Sequence, residues 1–571
     1  MSEHTTDDAT ANHDTPNGAQ PQPARPRILV ADPIAAEGVA ILRGVGEVDE
    51  RLGLSAEGLV AAIPAYDALV VRSETKVTAA AINAGERLRV IARAGVGVDN
   101  IDVEAATRRG VLVVNSPTGN IVAAAEHTIA LLMALARHIP AANASIRAGK
   151  WDRKSFVGAE VNGKTLSIIG LGKVGMEVAR RAGEAGLGMR LLAFDPYAAP
   201  ENARKVSAEL VSLDEALAQA DFLTVHTALT NDTRGLIGAA ELAQMKPHAY
   251  LINCARGGVI DEADLLDALN AGRVGGAALD VFTKEPPAGD PTITALMAHP
   301  RVVATPHLGA STEEAQVTVA VDVAEQVGEV LAGGAARAAV NAPLILPDTL
   351  RQLEPWMALV EKLGRLYLQL HPARVHRVDL TVAGEIAQYD TRPLTAALIK
   401  GLLEPVSEAH VNLINAPVLA RDRGLEVVES RTTSHEQYIN LITLRVHSDD
   451  VDGQVSYPGQ PYQLAATITW GEEHVVRVDR YVTDFWPHGH ILLCRNINRP
   501  GMIGRVGAIL GDAGVNISHM DVGPVSANGA RIHAPGGEAL MALSLDDAVP
   551  PEALETIRQS ADILDVKSVT L

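Results

Sequence analysis

The chain of 571 residues is long enough for about four domains, and its 47% apolar content can fill several cores. A formal charge of −20 with a pI of about 5.4 excludes broad attraction to nucleic acid or to an anionic membrane, though not a local basic pocket. The two cysteines, Cys254 and Cys494, form neither a disulfide nor a metal-ligand pattern, so no metal is expected and the chain reads as a cytoplasmic one.

Residues 1–26 are polar and proline-rich, which predicts a disordered tail without the apolar core of a signal peptide. From Arg27 the runs RILVAD, ALVVRS, VIARAG and VLVVNS alternate with alanine-rich helical stretches. That alternation predicts a parallel sheet covered by helices. Ligands of such sheets sit at the carboxyl ends of strands. There the chain places Arg72 with Ser73, Arg93 with Gly95, and Asn115 with Ser116, which suggests an anion pocket. The segment from Ile121 to His138 reads as a long buried helix leading into a second lobe; with Glu126 and His127 inside it, it falls short of a membrane span. The loop after it sets Trp151 beside Arg153 and Lys154, either a contact for a partner subunit or a surface cluster.

The most informative stretch is TLSIIGLGKVG, Thr165 to Gly175. An apolar run ends on Gly170-Leu-Gly172-Lys-Val-Gly175, a helical segment follows, and a second apolar run ends on Asp195, 20 residues beyond Gly175. Strand, glycine turn, helix, strand and acid in that order make a dinucleotide site of the Rossmann kind. Asp195 would accept from a ribose 2′-hydroxyl and repel a 2′-phosphate, which selects NAD over NADP. The later runs FLTVHT, AYLINCA, GAALDVF and VVATPH predict further strands, ending on Thr227, Arg256, Asp280 and His307. A charged residue at the end of a hydrophobic strand answers no structural need, and several of them beside a cofactor cleft point to chemistry. A bound nicotinamide carries hydride, so the protein must orient substrate and move one proton. Arg256 offers a planar fork for a carboxylate, and His307 suits a hydroxyl/carbonyl pair. Glu285, 22 residues before His307, is the candidate acid to hold its ring, and Asp280 could face the nicotinamide amide.

Past residue 325 a helix and an alanine-rich linker lead away from the second sheet. Residues 345–485 read as a separate α+β domain, and 488–571 read strand, helix, strand, strand, helix, strand, the ferredoxin-like order.

The runs GLGKVG, NCARGGVIDE, ALDVFTKEP and TPHLGAST resemble the D-isomer-specific 2-hydroxyacid dehydrogenases. VRSETKV, RAGVGVDN, NSPTGN and GKWDRKSFVG are similar to the branch of that family acting on D-3-phosphoglycerate. LINAPVLARDRGLEV and NRPGMIGRVGAILGDAGVNI resemble the intervening and ACT regulatory domains of its long form. The resemblance implies two doubly wound α/β lobes: a substrate lobe from 27–125 and 308–325, and an NAD-binding Rossmann lobe at 126–307. An intervening domain and an ACT domain follow. It implies that Arg256, Glu285 and His307 are catalytic. Lys173, Val174, Asp195, Thr227, Cys254, Ala255, Asp280, His307, Gly309 and Ala310 then match cofactor contacts, and Arg72 and Arg93 match positions near the acidic groups of substrate. In relatives L-serine sits between two ACT copies near positions matching Asn496, Asn498 and Asn516. Some relatives carry an aromatic residue or His at the first and Asp at the second, and an Asn hydrogen-bonds an ammonium without neutralising it. The segment SANGARIHAPGGE reads as longer than the usual turn at that domain's edge. The implied activity is NAD-dependent oxidation of 3-phosphoglycerate, the entry to serine, in a homodimer or homotetramer under serine control. A related hydroxypyruvate or glyoxylate reductase, a non-catalytic NAD-sensing regulator, and a purely structural C-terminal part stay open as alternatives.

Overall fold

The structure, a computed structural model, describes residues 25–343, 347–408, 410–448, 461–527, 530–531 and 536–571. The tail expected at 1–26 lies outside these residues except at its last two positions, and part of the SANGARIHAPGGE segment lies outside them as well.

Short Val-, Ile- and Ala-rich runs, buried on both faces, make the first sheet. Its strands are β1 (Arg27–Val30), β2 (Glu47–Glu50), β3 (Ala68–Val71), β4 (Val90–Arg93) and β5 (Leu112–Asn115), all parallel in the order β2-β1-β3-β4-β5. The helix Glu313–Leu331 covers it: Val319, Val323, Val327 and Val330 share a core with Ile28, Val30, Val70 and Val114. The pattern of the sequence takes this helix as an exit from the second sheet, whereas the resemblance puts residues 308–325 with the first lobe, and in the structure its apolar stripe closes the first sheet. The return segment therefore runs beyond 325 to Leu331. The alanine-rich stretch after it stays on this lobe, where Val340 N–H donates to Val113 O at 2.8 Å.

The second sheet holds β6 (Thr165–Ile169), β7 (Arg190–Phe194), β8 (Glu209–Leu210), β9 (Phe222–Val225), β10 (Tyr250–Asn253), β11 (Gly276–Leu279) and β12 (Val302–Ala304). All are parallel, in the order β12-β11-β10-β9-β6-β7-β8. The connecting helix Ile121–Ala136 buries Ala125, Leu131, Leu132 and Leu135 against Leu166, Ile168 and Ala278, so the division expected between 125 and 126 falls inside one helix. Among the described residues no single helix is long and apolar enough to cross a membrane.

The third sheet is mixed, with strands β13 (Val375–Gly384), β14 (Glu426–Thr432), β15 (Asn440–Ser448), β16 (Tyr462–Thr469), β17 (Glu472–Val478) and β18 (Tyr481–Phe485). Its order is β14-β13-β15-β16-β17-β18, and only β13 and β14 run parallel. The fourth is antiparallel, β20-β23-β19-β24, built from β19 (His490–Ile497), β20 (Ile517–Pro524), β23 (Glu538–Leu545) and β24 (Ile563–Thr570). The small pair β21 (Ser526–Ala527) and β22 (Ala530–Arg531) stands apart. Helices Met502–Asp512 and Pro551–Arg558 cover one face of the fourth sheet through Val506, Leu510 and Ile557, as the ferredoxin-like pattern requires. Its other face, Ile491, Leu493, Leu540, Ala542 and Val569, joins the core of the third sheet with Tyr367, Tyr481 and Phe485. The two C-terminal units, separate along the chain, are thus one packed body.

Candidate active site

The glycine turn is built where β6 meets its helix. Gly170 has φ +95°, and a Cβ there would lie 2.8 Å from His226 O, so no other residue fits. Gly172 caps the helix Lys173–Ala182 without any side-chain cap, which leaves the first-turn N–H groups of Lys173, Val174 and their neighbours open to an anion. Asp195, at the end of β7, reaches back to this turn: its Oδ2 accepts Leu171 N–H at 2.8 Å. Thr227 Oγ1 is buried beside the turn with no partner among the described residues. An uncapped helix end, an acid on the turn and an orphaned hydroxyl fit a dinucleotide.

Arg256 follows β10 on a turn tied by the Asn253 side chain, which accepts Ala255 N–H at 3.0 Å and donates to Arg256 O at 2.9 Å. The guanidinium donates to Ala255 O at 2.7 Å and, across the cleft, from Nε to Asp99 Oδ2 at 3.1 Å. Asp99 belongs to the loop after β4, so this contact joins the lobes. Arg93 ends β4. Burial pushes its guanidinium down to about 10, and Arg256 and Arg72 push the same way against the pull of Asp99 and Asp32. Arg93 thus feels both other cations, and Arg93 Nε and Ser116 Oγ are buried without partners among the described residues. Such groups await an anionic or hydroxylated ligand. Asp32, buried at the end of β1, accepts the N–H groups of Arg72 at 2.6 Å and Thr75 at 3.1 Å and shapes the turn carrying Arg72 and Ser73. Asp32 and Asp99 were not singled out in the sequence; the acid ending RILVAD is the one signal that could have marked Asp32.

His307 lies in the loop after β12, neighbour to β11 and β10, so Arg256, Glu285 and His307 follow three adjacent parallel strands. Its Nδ1 lies 2.6 Å from Glu285 Oε2, while Glu285 Oε1 accepts Phe282 N–H at 2.8 Å. The pairing expected across 22 residues is present. The imidazole is half-exposed, and its other nitrogen makes no hydrogen bond among the described residues. Asp280 is buried, and its carboxylate is taken up by four donors: Leu308 N–H at 2.7 Å, Gly309 N–H at 2.8 Å, Thr305 Oγ1 at 2.6 Å and His127 Nε2 at 3.1 Å. Burial alone would raise its pKa, but these hydrogen bonds outweigh that and hold it below the ordinary value. The carboxylate expected to face a nicotinamide amide thus holds the loop of His307, Gly309 and Ala310. Burial pushes the Cys254 thiol up to about 12, which leaves it an unreactive wall of the site.

The three asparagines assigned to an effector do not meet within one chain. Asn496 and Asn498 stand at the end of the fourth sheet where Ile497 pairs with Glu538. Asn516 precedes β20 at the opposite end, where Ile517 pairs with Leu545, and donates to Asp546 Oδ2 at 2.7 Å. Asn496 is buried with its Oδ1 unpartnered among the described residues.

A glycine-turn lobe facing a second α/β lobe, with an arginine and a glutamate-held histidine on neighbouring strand ends, is the arrangement that the resemblance to the D-isomer-specific 2-hydroxyacid dehydrogenases implies. The profile of that family's NAD binding domain matches residues 129–309, that of the D-3-phosphoglycerate dehydrogenase intervening domain matches 352–461, and that of the ACT domain matches 490–562. The chain is 45% identical over 546 residues to the D-3-phosphoglycerate dehydrogenase of Synechocystis sp., covering 95% of each chain. It is 44% identical to that of Methanocaldococcus jannaschii, covering 95% of this chain and 100% of the other. The solved TT0316 protein of Thermus thermophilus superposes with a TM-score of 0.51 at 33% identity, over 55% of this chain and 99% of its own. The chain belongs to the D-3-phosphoglycerate dehydrogenase family.

Proposed function

We propose that the chain oxidises D-3-phosphoglycerate to 3-phosphohydroxypyruvate with NAD, the first step of serine synthesis. The observation that carries this reading is the convergence of Arg72, Arg93 and Arg256 on one cleft, beside a histidine held by a carboxylate. A substrate with both a carboxylate and a phosphate matches three guanidinium groups better than a simple 2-hydroxy acid does.

When bound, NAD accepts the hydride from C2. Arg256 pairs with the substrate carboxylate and fixes the orientation of the carbinol carbon, while Arg72 and Arg93 take the phosphate end. His307 removes the hydroxyl proton at the ring nitrogen opposite Glu285, whose negative charge stabilises the imidazolium formed. Asp195 accepts from the adenosine ribose and repels a 2′-phosphate.

Serine control through a second copy of the ACT unit fits asparagines set at opposite ends of one sheet, since only a neighbouring chain could bring them together. Self-association is supported by the helix Ile139–Arg147, which buries no residue, and by Trp151, 82% exposed in the loop after it. Free Cys254 and Cys494 agree with a reducing compartment. The deciding experiment is NADH formation from D-3-phosphoglycerate against D-glycerate and D-lactate, with and without L-serine. We expect kcat/KM on the phosphorylated substrate to lead by more than about 100-fold, the scale of one lost charge-assisted pair. Equal rates on D-glycerate overturn the assignment of substrate.

A further inference from the structure

We infer that His127 is a positioning residue for the loop that carries His307; this rests on the proposed reaction but acts through geometry that can be read without it. Asp280 receives three of its four hydrogen bonds from residues 305–309, and His307 N–H itself donates to Asp280 O at 2.9 Å. The fourth donor comes from outside: His127 Nε2 lies 3.1 Å from Asp280 Oδ1 and 3.2 Å from Thr305 Oγ1. The proton on that nitrogen follows from its neighbours. An ionised carboxylate only accepts, and the Thr305 hydroxyl is committed to Asp280 at 2.6 Å, so both of these oxygens face Nε2 as acceptors. Nε2–H must therefore donate, bridging the two.

The arrangement answers a local need. His307 has φ +54°, a left-handed conformation that is strained for a side-chain-bearing residue and persists only where its surroundings dictate it. A buried carboxylate under the loop supplies that constraint, and a buried carboxylate is itself tolerable only when its lone pairs are satisfied. His127 adds a third donor to Oδ1, the oxygen that also receives Thr305 and Leu308, while Gly309 N–H holds Oδ2. His127 does so from the helix Ile121–Ala136, which follows β5 of the first lobe and packs into the second, so the segment joining the lobes also fastens the proton-transfer loop.

The test compares His127→Leu, which removes the donor at similar volume, with His127→Gln, whose terminal amide can reach the same acceptors. NADH affinity, kcat, KM and the hydrogen exchange of the Leu308 and Gly309 amides are measured on the full-length chain. His127→Leu is expected to lower kcat by about 10- to 100-fold, the usual effect of a small misplacement of a reacting group, with KM and NADH affinity within about 3-fold. Both amides should exchange faster, and His127→Gln should restore kcat and protection. Thr305→Val, which strips the same oxygen of another of its three donors, should repeat the pattern if the leucine variant is too unstable to assay. Wild-type exchange at Leu308 and Gly309 in folded His127→Leu protein overturns the inference, as does a fall in kcat that glutamine does not reverse. Exchange needs no substrate, so it decides this point even if phosphoglycerate is not turned over.

Discussion

The two N-terminal lobes and the two C-terminal units are put together on opposite plans. Each parallel sheet of the N-terminal half closes its own cores: Leu29, Val70 and Val114 belong to clusters that include nothing from the second lobe, and Leu166, Leu251 and Ala277 to clusters that include nothing from the first. In the C-terminal half a single cluster runs from Leu353 through Tyr481 and Phe485 to Val569, across both sheets. Separate cores leave a cleft that polar groups can line and that can open and close. A shared core moves as one piece. That piece meets the catalytic half at an outer contact where Asn412 Nδ2 donates to Gly110 O at 2.8 Å, Asn415 Nδ2 donates to Arg108 O at 3.3 Å, Arg108 pairs with Asp422 and Ile414 packs on the first lobe's core.

If this contrast holds, damage in the cleft and damage in the shared core should separate cleanly. His307→Ala is expected to cut kcat by about 10³-fold or more, with the melting temperature and NADH affinity near wild type. Arg256→Lys keeps the charge but loses the fork, and should raise KM as well as lower kcat, by about 100-fold in kcat/KM. Stopped-flow and steady-state NADH assays separate the two; a His307→Ala enzyme turning over normally would remove the chemistry proposed for the cleft.

The converse variant is Phe485→Ala. Phe485 is buried between the third and fourth sheets, and losing its ring should cost about 3 kcal/mol or more. Calorimetry should show both C-terminal units melting earlier together while NADH binding is kept. Two resolved transitions, only one of them shifted, would mean the core is not shared in the way it looks.

The outer contact is the next place to press. Gly110 has φ +74°, and a Cβ there would lie 2.5 Å from Asn412 Nδ2, so Gly110→Ala should cost about 2 kcal/mol and push the C-terminal body off the first lobe. Activity without effector should change less than about 2-fold, whereas any serine response should weaken. An unchanged serine response in Gly110→Ala would place the route between the halves elsewhere.

How far the sequence could be read follows the same division. Parallel strands buried on both faces announce themselves as apolar runs, and all but two were legible; β2 (EVDE) and β8 (Glu209–Leu210) are acidic edge strands with nothing hydrophobic to betray them. Strand ends were legible too, because an apolar strand has no need of a charge there, and this located Arg72, Arg93, Arg256 and His307, although the acids at such ends, Asp32 and Asp280, hold turns and loops. Pairings between remote residues were legible only as chemistry demanded them: a proton-transfer histidine needs an acid, hence Glu285, whereas nothing in EHTIALL says that His127 donates to an acid 153 residues away. The helix Glu313–Leu331 was legible as a helix, but periodicity cannot say which sheet its stripe meets. The separation of the effector asparagines within one chain was hidden for a related reason. Their spacing along the chain hides the antiparallel register that sends Asn516 to the far end of the sheet.

The mildest test uses acid, and it asks whether the halves also fail independently. Burial pushes His226, beside the glycine turn, down to about 4, and burial with the nearby Lys567 cation pushes His371, in the C-terminal core, to about 4 as well. Between about pH 6.5 and 4 the unfolded chain takes up a proton at each position that the folded chain refuses, so stability falls as pH drops through that window and levels off below it. Each should cost on the order of 1 kcal/mol near pH 5.5, given that neither residue is wholly shut from solvent. His226→Asn should flatten the acid sensitivity of NADH-bound melting alone, and His371→Asn that of the C-terminal transition alone. Should either substitution flatten both, the catalytic and C-terminal halves unfold as one unit and the outer contact at Gly110 is stronger than its few hydrogen bonds imply.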